Sequence, residues 1–116
     1  MAKYRKKPVI IEAVQWQRNG DHPDDQCIER RDPVSGEAVK SEGKVVRYFR
    51  HPEISGTNRC RECGEIMHRH GYIDTPEGGH IVCPGDWVVT GTAGERYPVK
   101  DRIFGGIYEK VDQVLD

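Results

Sequence analysis

Two cysteines, Cys60 and Cys63, are separated by two residues and followed by Gly64. Two thiolates at this spacing can hold one zinc ion from a tight turn, in which glycine adopts a backbone angle that other residues avoid. A third cysteine, Cys83, follows twenty residues later. Three histidines lie between the pair and this cysteine: His68, His70 and His80. The sequence therefore predicts a zinc site with three cysteine ligands and one histidine ligand.

The identity of the histidine ligand depends on how residues 67–82 fold. The sequence Thr-Pro-Glu-Gly at 75–78 is typical of a turn, and a regular hairpin around it pairs residues whose numbers sum to 153. In that register His70 faces Cys83 on one side of the sheet. Alternatively, His80 and Cys83 repeat the spacing of the first pair, as in a zinc ribbon, but residues 80 and 83 of a straight strand point to opposite faces. We predict that His70 is the histidine ligand in preference to His80, and that His68 is the least favoured of the three.

A site with four protein ligands leaves no position for water, so the predicted zinc ion is structural. The chain has 116 residues, of which 35% are hydrophobic and 32% are charged. We expect one domain over residues 1–116 with a thin core, which a metal crosslink would reinforce. The remaining cysteine, Cys27, is predicted to be an unpaired thiol.

Thirteen glycines and seven prolines favour turns and short strands over long helices. The polar segment 17–43 lacks apolar periodicity, and we predict a long loop or a weak hairpin there, with a turn at 32–36. Trp16 and Trp87 are predicted to be core residues. The fold class is mainly β, with five to seven short strands in a small bent sheet or partly open barrel. The predicted strands and hairpin arms are 8–16, 44–49, 67–82, 87–92, 95–100 and 103–111.

The start of the chain is basic and no apolar signal segment follows it. This pattern predicts a reducing compartment, the host cytoplasm, in which cysteines beside histidines bind metal more often than they form disulfides. No run of residues approaches the roughly 20 apolar residues that span a bilayer, so we expect no membrane partner.

Motifs typical of enzymes are missing: there is no glycine-rich phosphate loop and no serine nucleophile elbow. His68, His70 and Asp74 could serve a nuclease of the His-Asn-His type, but not if His70 binds a structural zinc ion. A basic stretch surrounds the cysteine pair and favours nucleic-acid binding, whereas 17–43 and the residues after Gly71 are net acidic. The basic residues are Lys44, Arg47, Arg50, Arg59, Arg61 and Arg69.

Two separated parts of the chain resemble a family of small phage and prophage proteins, the PGDYG-domain proteins. They are KYRKKPVIIEAVQW at 3–16, and PGDWVVTG at 84–91 together with GERYPVKDRIF at 94–104. Trp87 stands where the family name has tyrosine, Val99 stands where cysteine is expected, and 17–70 resembles an insertion. The resemblance implies phage origin and supplies no catalytic residues.

These observations lead to one prediction and two alternatives. We predict a non-enzymatic phage-type accessory protein with structural zinc that binds a host or phage macromolecule, the partner and oligomeric state being unknown. The alternatives are a nucleic-acid-binding zinc module and a zinc-dependent nuclease or hydrolase.

Overall fold

The computed structural model describes residues 1–5 and 7–111. The prediction of a mainly β fold is confirmed, although this part of the chain forms eight strands where five to seven were predicted. The strands are β1 (Glu12–Gln15), β2 (Glu29–Arg31), β3 (Ala38–Lys40), β4 (Arg47–Tyr48), β5 (Gly71–Thr75), β6 (Gly78–Val82), β7 (Trp87–Thr90) and β8 (Arg96–Val99). A 3-10 helix covers Met67–Arg69, and one α-helix, α1, covers Asp101–Ile107.

The strands divide among three antiparallel sheets, none of which closes into a barrel within the described residues. Two sheets have three strands, in the orders β1-β7-β8 and β4-β5-β6, and β2 pairs with β3 alone. β5 and β8 lie close together, so the two larger sheets share one small core. Its buried side chains come from both sheets: Trp16, Val46, Ile73, Val82 and Val88. Trp16 is thus a core residue, as predicted.

The β5–β6 hairpin brings the two ends of segment 70–83 together. Gly71 faces Val82, and every other pair in the hairpin also has numbers that sum to 153. The predicted register is therefore confirmed. Because His70 precedes β5 and Cys83 follows β6, both residues lie at the open end of this hairpin.

The first predicted strand, 8–16, is too long. β1 begins at Glu12, which faces Thr90, the last residue of β7. Within the described part of the chain, residues 7–11 therefore have no strand opposite them, and Val9 and Ile10 are 51% and 76% exposed.

The second predicted strand, 44–49, shrinks to Arg47–Tyr48. The reason is a buried carboxylate from the polar segment: Asp25 Oδ1 accepts the backbone N–H groups of Val45 and Val46, each at 3.0 Å. These donors are therefore satisfied by a side chain and not by a strand. In contrast, the weak hairpin predicted within 17–43 is confirmed by β2 and β3, whose six residues are all exposed.

The predicted last strand, 103–111, is wrong, because helix α1 covers Asp101–Ile107. A helix puts Phe104 one turn before Tyr108, and their rings are 5.0 Å apart. Phe104 also stacks on Trp87 with ring centroids 4.2 Å apart, and Trp87 Nε1 donates to Asp101 Oδ1 at 2.8 Å. These contacts with β7 favour the helix over a β-strand. No helix within residues 1–5 and 7–111 is long and apolar enough to cross a membrane.

Candidate metal centre

The first two sulfurs of the site are presented by a tight turn. Cys60 N–H donates to the Glu65 carbonyl at 2.8 Å, and Gly64 N–H donates to the Cys60 carbonyl at 3.0 Å. Gly64 has a φ of +80°, the left-handed angle that glycine adopts without steric cost. The sequence predicted this role for the glycine. The turn holds Cys60 and Cys63 on one side, toward the β5–β6 hairpin.

The other two residues come from the open end of that hairpin. His70 follows the 3-10 helix and precedes β5, while Cys83 follows β6. Both side chains are 3% exposed. The register of the β5–β6 hairpin therefore places one imidazole and one thiol next to each other at its open end.

The ligand atoms of Cys60, Cys63, His70 and Cys83 all lie within 4.8 Å of one another. Cys60 Sγ and Cys83 Sγ are 3.8 Å apart, the separation of about 3.8 Å expected when two sulfurs bind zinc tetrahedrally at about 2.3 Å. Cys63 Sγ and His70 Nε2 are 3.1 Å apart, and a tetrahedral ion would widen this pair to about 3.6 Å. These two separations fit a zinc-sized cation, the second after a widening of about half an ångström.

His70 is oriented as a metal ligand. Its Nδ1 lies 3.0 Å from the Ile66 carbonyl oxygen, which can only accept a hydrogen bond. In the neutral imidazole this contact places the proton on Nδ1 and leaves the lone pair on Nε2. This atom faces Cys63 Sγ. A carbonyl behind the imidazole is the arrangement that sets tautomer and ring orientation in metal sites.

The electrostatic surroundings differ between the buried and half-buried sulfurs. Burial raises the pKa of Cys83 to about 12, against the opposing effect of the Lys100 ammonium. Burial also acts to raise the pKa of Cys60, but hydrogen bonds, including those from the backbone N–H groups of Cys63 and Glu62, outweigh this effect. The pKa of Cys60 is therefore lowered. A bound cation would deprotonate a coordinating thiol outright. Burial therefore favours the thiol form of Cys83, and a bound cation would favour its thiolate.

The structure brings together the four predicted ligands and leaves the competing histidines outside. His80 is exposed on β6, where it faces Ile73, and His68 is exposed beside Gly56. Cys27 also lies outside the cluster, with its sulfur 3.9 Å from Asn19 Oδ1.

The residues of the nuclease hypothesis do not converge. Asp74 forms an ion pair with Arg47 at 2.7 Å, and its side chain is 74% exposed. His70 belongs to the cluster described above, and His68 does not.

Sequence reasoning missed one residue at the site. Lys100 Nζ lies 3.0 Å from Cys83 Sγ and 3.1 Å from Asp86 Oδ2. The same Asp86 atom accepts the Cys83 N–H at 2.8 Å. Nothing in the spacing indicated Lys100, because it follows β8 in the other three-stranded sheet.

A groove of about 940 Å³ lies beside the cluster, with Cys60 and Cys83 in its wall. Apolar side chains form much of its lining: Pro52, Ile54, Met67, Ile81 and Pro98. Arg59, Arg61 and Lys100 add positive charge, and Glu62 and Asp86 add negative charge.

The fold and the cluster define a small β-rich protein with a Cys3His arrangement able to hold a metal ion. Comparison with family models, curated proteins and solved structures finds no match to this chain. The functional assignment accordingly rests on the geometry of the cluster and its surroundings.

Proposed function

We propose that this chain is a non-enzymatic, phage-type accessory protein in which Cys60, Cys63, His70 and Cys83 hold one structural zinc ion. The observation that carries the proposal is the convergence of three sulfurs and one correctly oriented imidazole nitrogen within 4.8 Å. Soft sulfur ligands with one imidazole favour zinc over magnesium or calcium. Four protein ligands close the tetrahedron, which is the arrangement of structural and not catalytic zinc.

The zinc ion would crosslink two segments of the chain through their ligands. One is the 60–63 turn, and the other is the open end of the β5–β6 hairpin. The main core contains five buried side chains, so a metal crosslink is a large addition to the stability of this fold. All four cysteines are unpaired with one another, as in a reducing compartment, and we assign the protein to the host cytoplasm.

The action of the protein would be to bind a host or phage macromolecule in the groove beside the zinc ion. An apolar lining with two arginines fits a protein segment that carries apolar side chains flanked by carboxylates. The second candidate, nucleic-acid binding, is favoured by the same two arginines, Arg59 and Arg61. The apolar side chains of the groove favour the protein segment, because a phosphate backbone offers them no apolar contact.

The zinc proposal is tested by elemental analysis of purified protein with X-ray absorption at the zinc edge. The expected result is one zinc ion per chain, bound by three sulfurs and one nitrogen. A coordinated water would contradict a closed site and support a hydrolase. Protein without zinc that folds normally would refute the proposal.

The binding proposal is tested with peptides selected from a random library on the zinc-loaded protein. Binding should change little between 50 and 200 mM salt, should be lost in Ile54→Asp, and should persist in Val34→Asp, which alters an exposed residue of the turn between β2 and β3. A random 20-nucleotide single strand is the comparison ligand. Tighter binding of this strand, weakening steeply with salt, would favour the nucleic-acid module instead.

A further inference from the structure

The ammonium group of Lys100 connects the two halves of the metal centre. It lies 3.0 Å from Cys83 Sγ and 3.1 Å from Asp86 Oδ2 at the hairpin end, and 3.1 Å from Glu62 Oε2 in the cysteine turn. The Asp86 side chain is 5% exposed, so it holds the ammonium from the protein interior. Lys100 thus has a defined position against one particular sulfur.

A cationic N–H donor changes the chemistry of the sulfur that accepts it. Charge-assisted hydrogen bonds are roughly twice as strong as neutral ones, and they withdraw electron density from the acceptor. Cys83 combines this hydrogen bond with an exposure of 3%. Reagents therefore meet a sulfur that is covered by the protein and already accepts a hydrogen bond from a cation.

Cys63 has the opposite surroundings. Its side chain is exposed, and its sulfur faces His70 Nε2, itself a metal ligand, at 3.1 Å. Cys60 is intermediate: it is half-buried, and its sulfur accepts the Glu62 N–H at 3.4 Å. The three sulfurs of the cluster thus differ in exposure and in hydrogen bonding, and the sulfur of Cys63 is the one most accessible to reagents.

We propose that Lys100 makes Cys83 the inert sulfur of the metal centre and that Cys63 is the modification site at which soft electrophiles open it. This inference rests on the proposed zinc site. With a maleimide, the Cys63 sulfur forms a bond to one alkene carbon, the carbon–carbon π bond breaks, and the neighbouring carbon takes a proton from water. The resulting thioether carries no negative charge, so the ion loses one anionic ligand and dissociates.

The test uses zinc-loaded full chain in a Cys27→Ser background, so that the reagent meets only the three cluster sulfurs. One equivalent of N-ethylmaleimide is added while a chromophoric chelator reports zinc release. Trypsin cuts after Arg59, Arg61, Arg69 and Arg96, which places Cys60, Cys63 and Cys83 on separate peptides for mass analysis. The expected first adduct is on Cys63, formed at the rate of zinc release. A first adduct on Cys60 or Cys83 of the zinc-loaded protein overturns the inference and leaves the zinc site standing.

The role of Lys100 is tested separately with Lys100→Met, which keeps an unbranched side chain one atom shorter and removes its charge. Alkylation of Cys83 should become about tenfold faster, because a hydrogen bond from a charged group is lost. Lys100→Arg, which retains a cation, should keep Cys83 inert, and Lys110→Met, at an exposed lysine, should match the parent protein. An unchanged Cys83 rate in Lys100→Met shows that burial alone protects this sulfur and refutes the role of Lys100. Absence of zinc from the purified parent protein instead refutes the proposed function itself.

Discussion

Replacing His70 with alanine should remove the zinc ion and the stability that it supplies. A ligand present at a thousand times its Kd stabilises the folded state by about 4 kcal/mol. Unfolding entropy is about 2.1 cal/mol/K per residue, so for 116 residues a loss of about 4 kcal/mol lowers Tm by about 17 °C. His70 is suited to this test because it is 3% exposed and one of only four converging groups.

The assay is differential scanning calorimetry of the parent protein, His70→Ala and His80→Ala. Each protein is measured at one fixed concentration of free zinc, and again after a chelator has removed the zinc. The two variants lose the same side chain from the same hairpin, but His80 is exposed and lies outside the cluster. His80→Ala should therefore stay within about 0.5 kcal/mol of the parent, or about 2 °C in Tm. Loss of zinc from His80→Ala with retention in His70→Ala would refute the assignment. A parent Tm that does not respond to the chelator would refute the structural role of the ion.

Three further predictions concern single residues. Asp25→Ala leaves two backbone N–H groups without their acceptor and should cost about 3 kcal/mol in urea denaturation; a cost below about 1 kcal/mol would contradict the contacts described. Gly64→Ala forces alanine to a φ of +80°, so it should lower the free energy of unfolding by about 1 to 2 kcal/mol and weaken zinc binding in a chelator competition. Gly105→Ala is the control, because a Cβ at this position of α1 meets open space and should not destabilise the protein. Equal effects of the two substitutions would contradict this account. Burial lowers the pKa of His22 below 6.5, against the opposing effect of Asp25, so the unfolded chain binds more protons and the free energy of unfolding falls as pH drops through the window just below 6.5. His22→Gln should flatten that part of the profile in thermal denaturation, and an unchanged slope would show that His22 is not its source.

Much of the candidate site was accessible from the sequence because its parts are local. Cys60, Cys63 and Gly64 belong to one turn, and the position of the Pro76-Glu77 turn was enough to place His70 opposite Cys83. A hairpin has few registers compatible with a given turn, so counting outward from the turn was sufficient. The alternation of side chains along a strand favoured His70 over His80, because residues 80 and 83 of a straight strand point to opposite faces.

The errors in predicted strands have one common cause: a strand needs a partner as well as a suitable sequence. Residues 8–11 are rich in β-branched side chains, yet β7 ends opposite Glu12 and provides no further pairing. The segment 101–107 contains two glycines, but stacking of Phe104 on Trp87 stabilises a helix there. In both cases tertiary contacts override local propensity.

The β-rich class, the cysteine turn and the hairpin register could be predicted from the sequence, and this register favoured His70 over His80 as the fourth ligand. These features depend on spacings within short segments of the chain and on the regular geometry of a hairpin. The division into three sheets, the helix at 101–107 and the contact of Lys100 with Cys83 depend on tertiary packing instead. The last of these joins β8 of one sheet to the end of β6 in another, and such a contact depends on how the two sheets pack around their shared core.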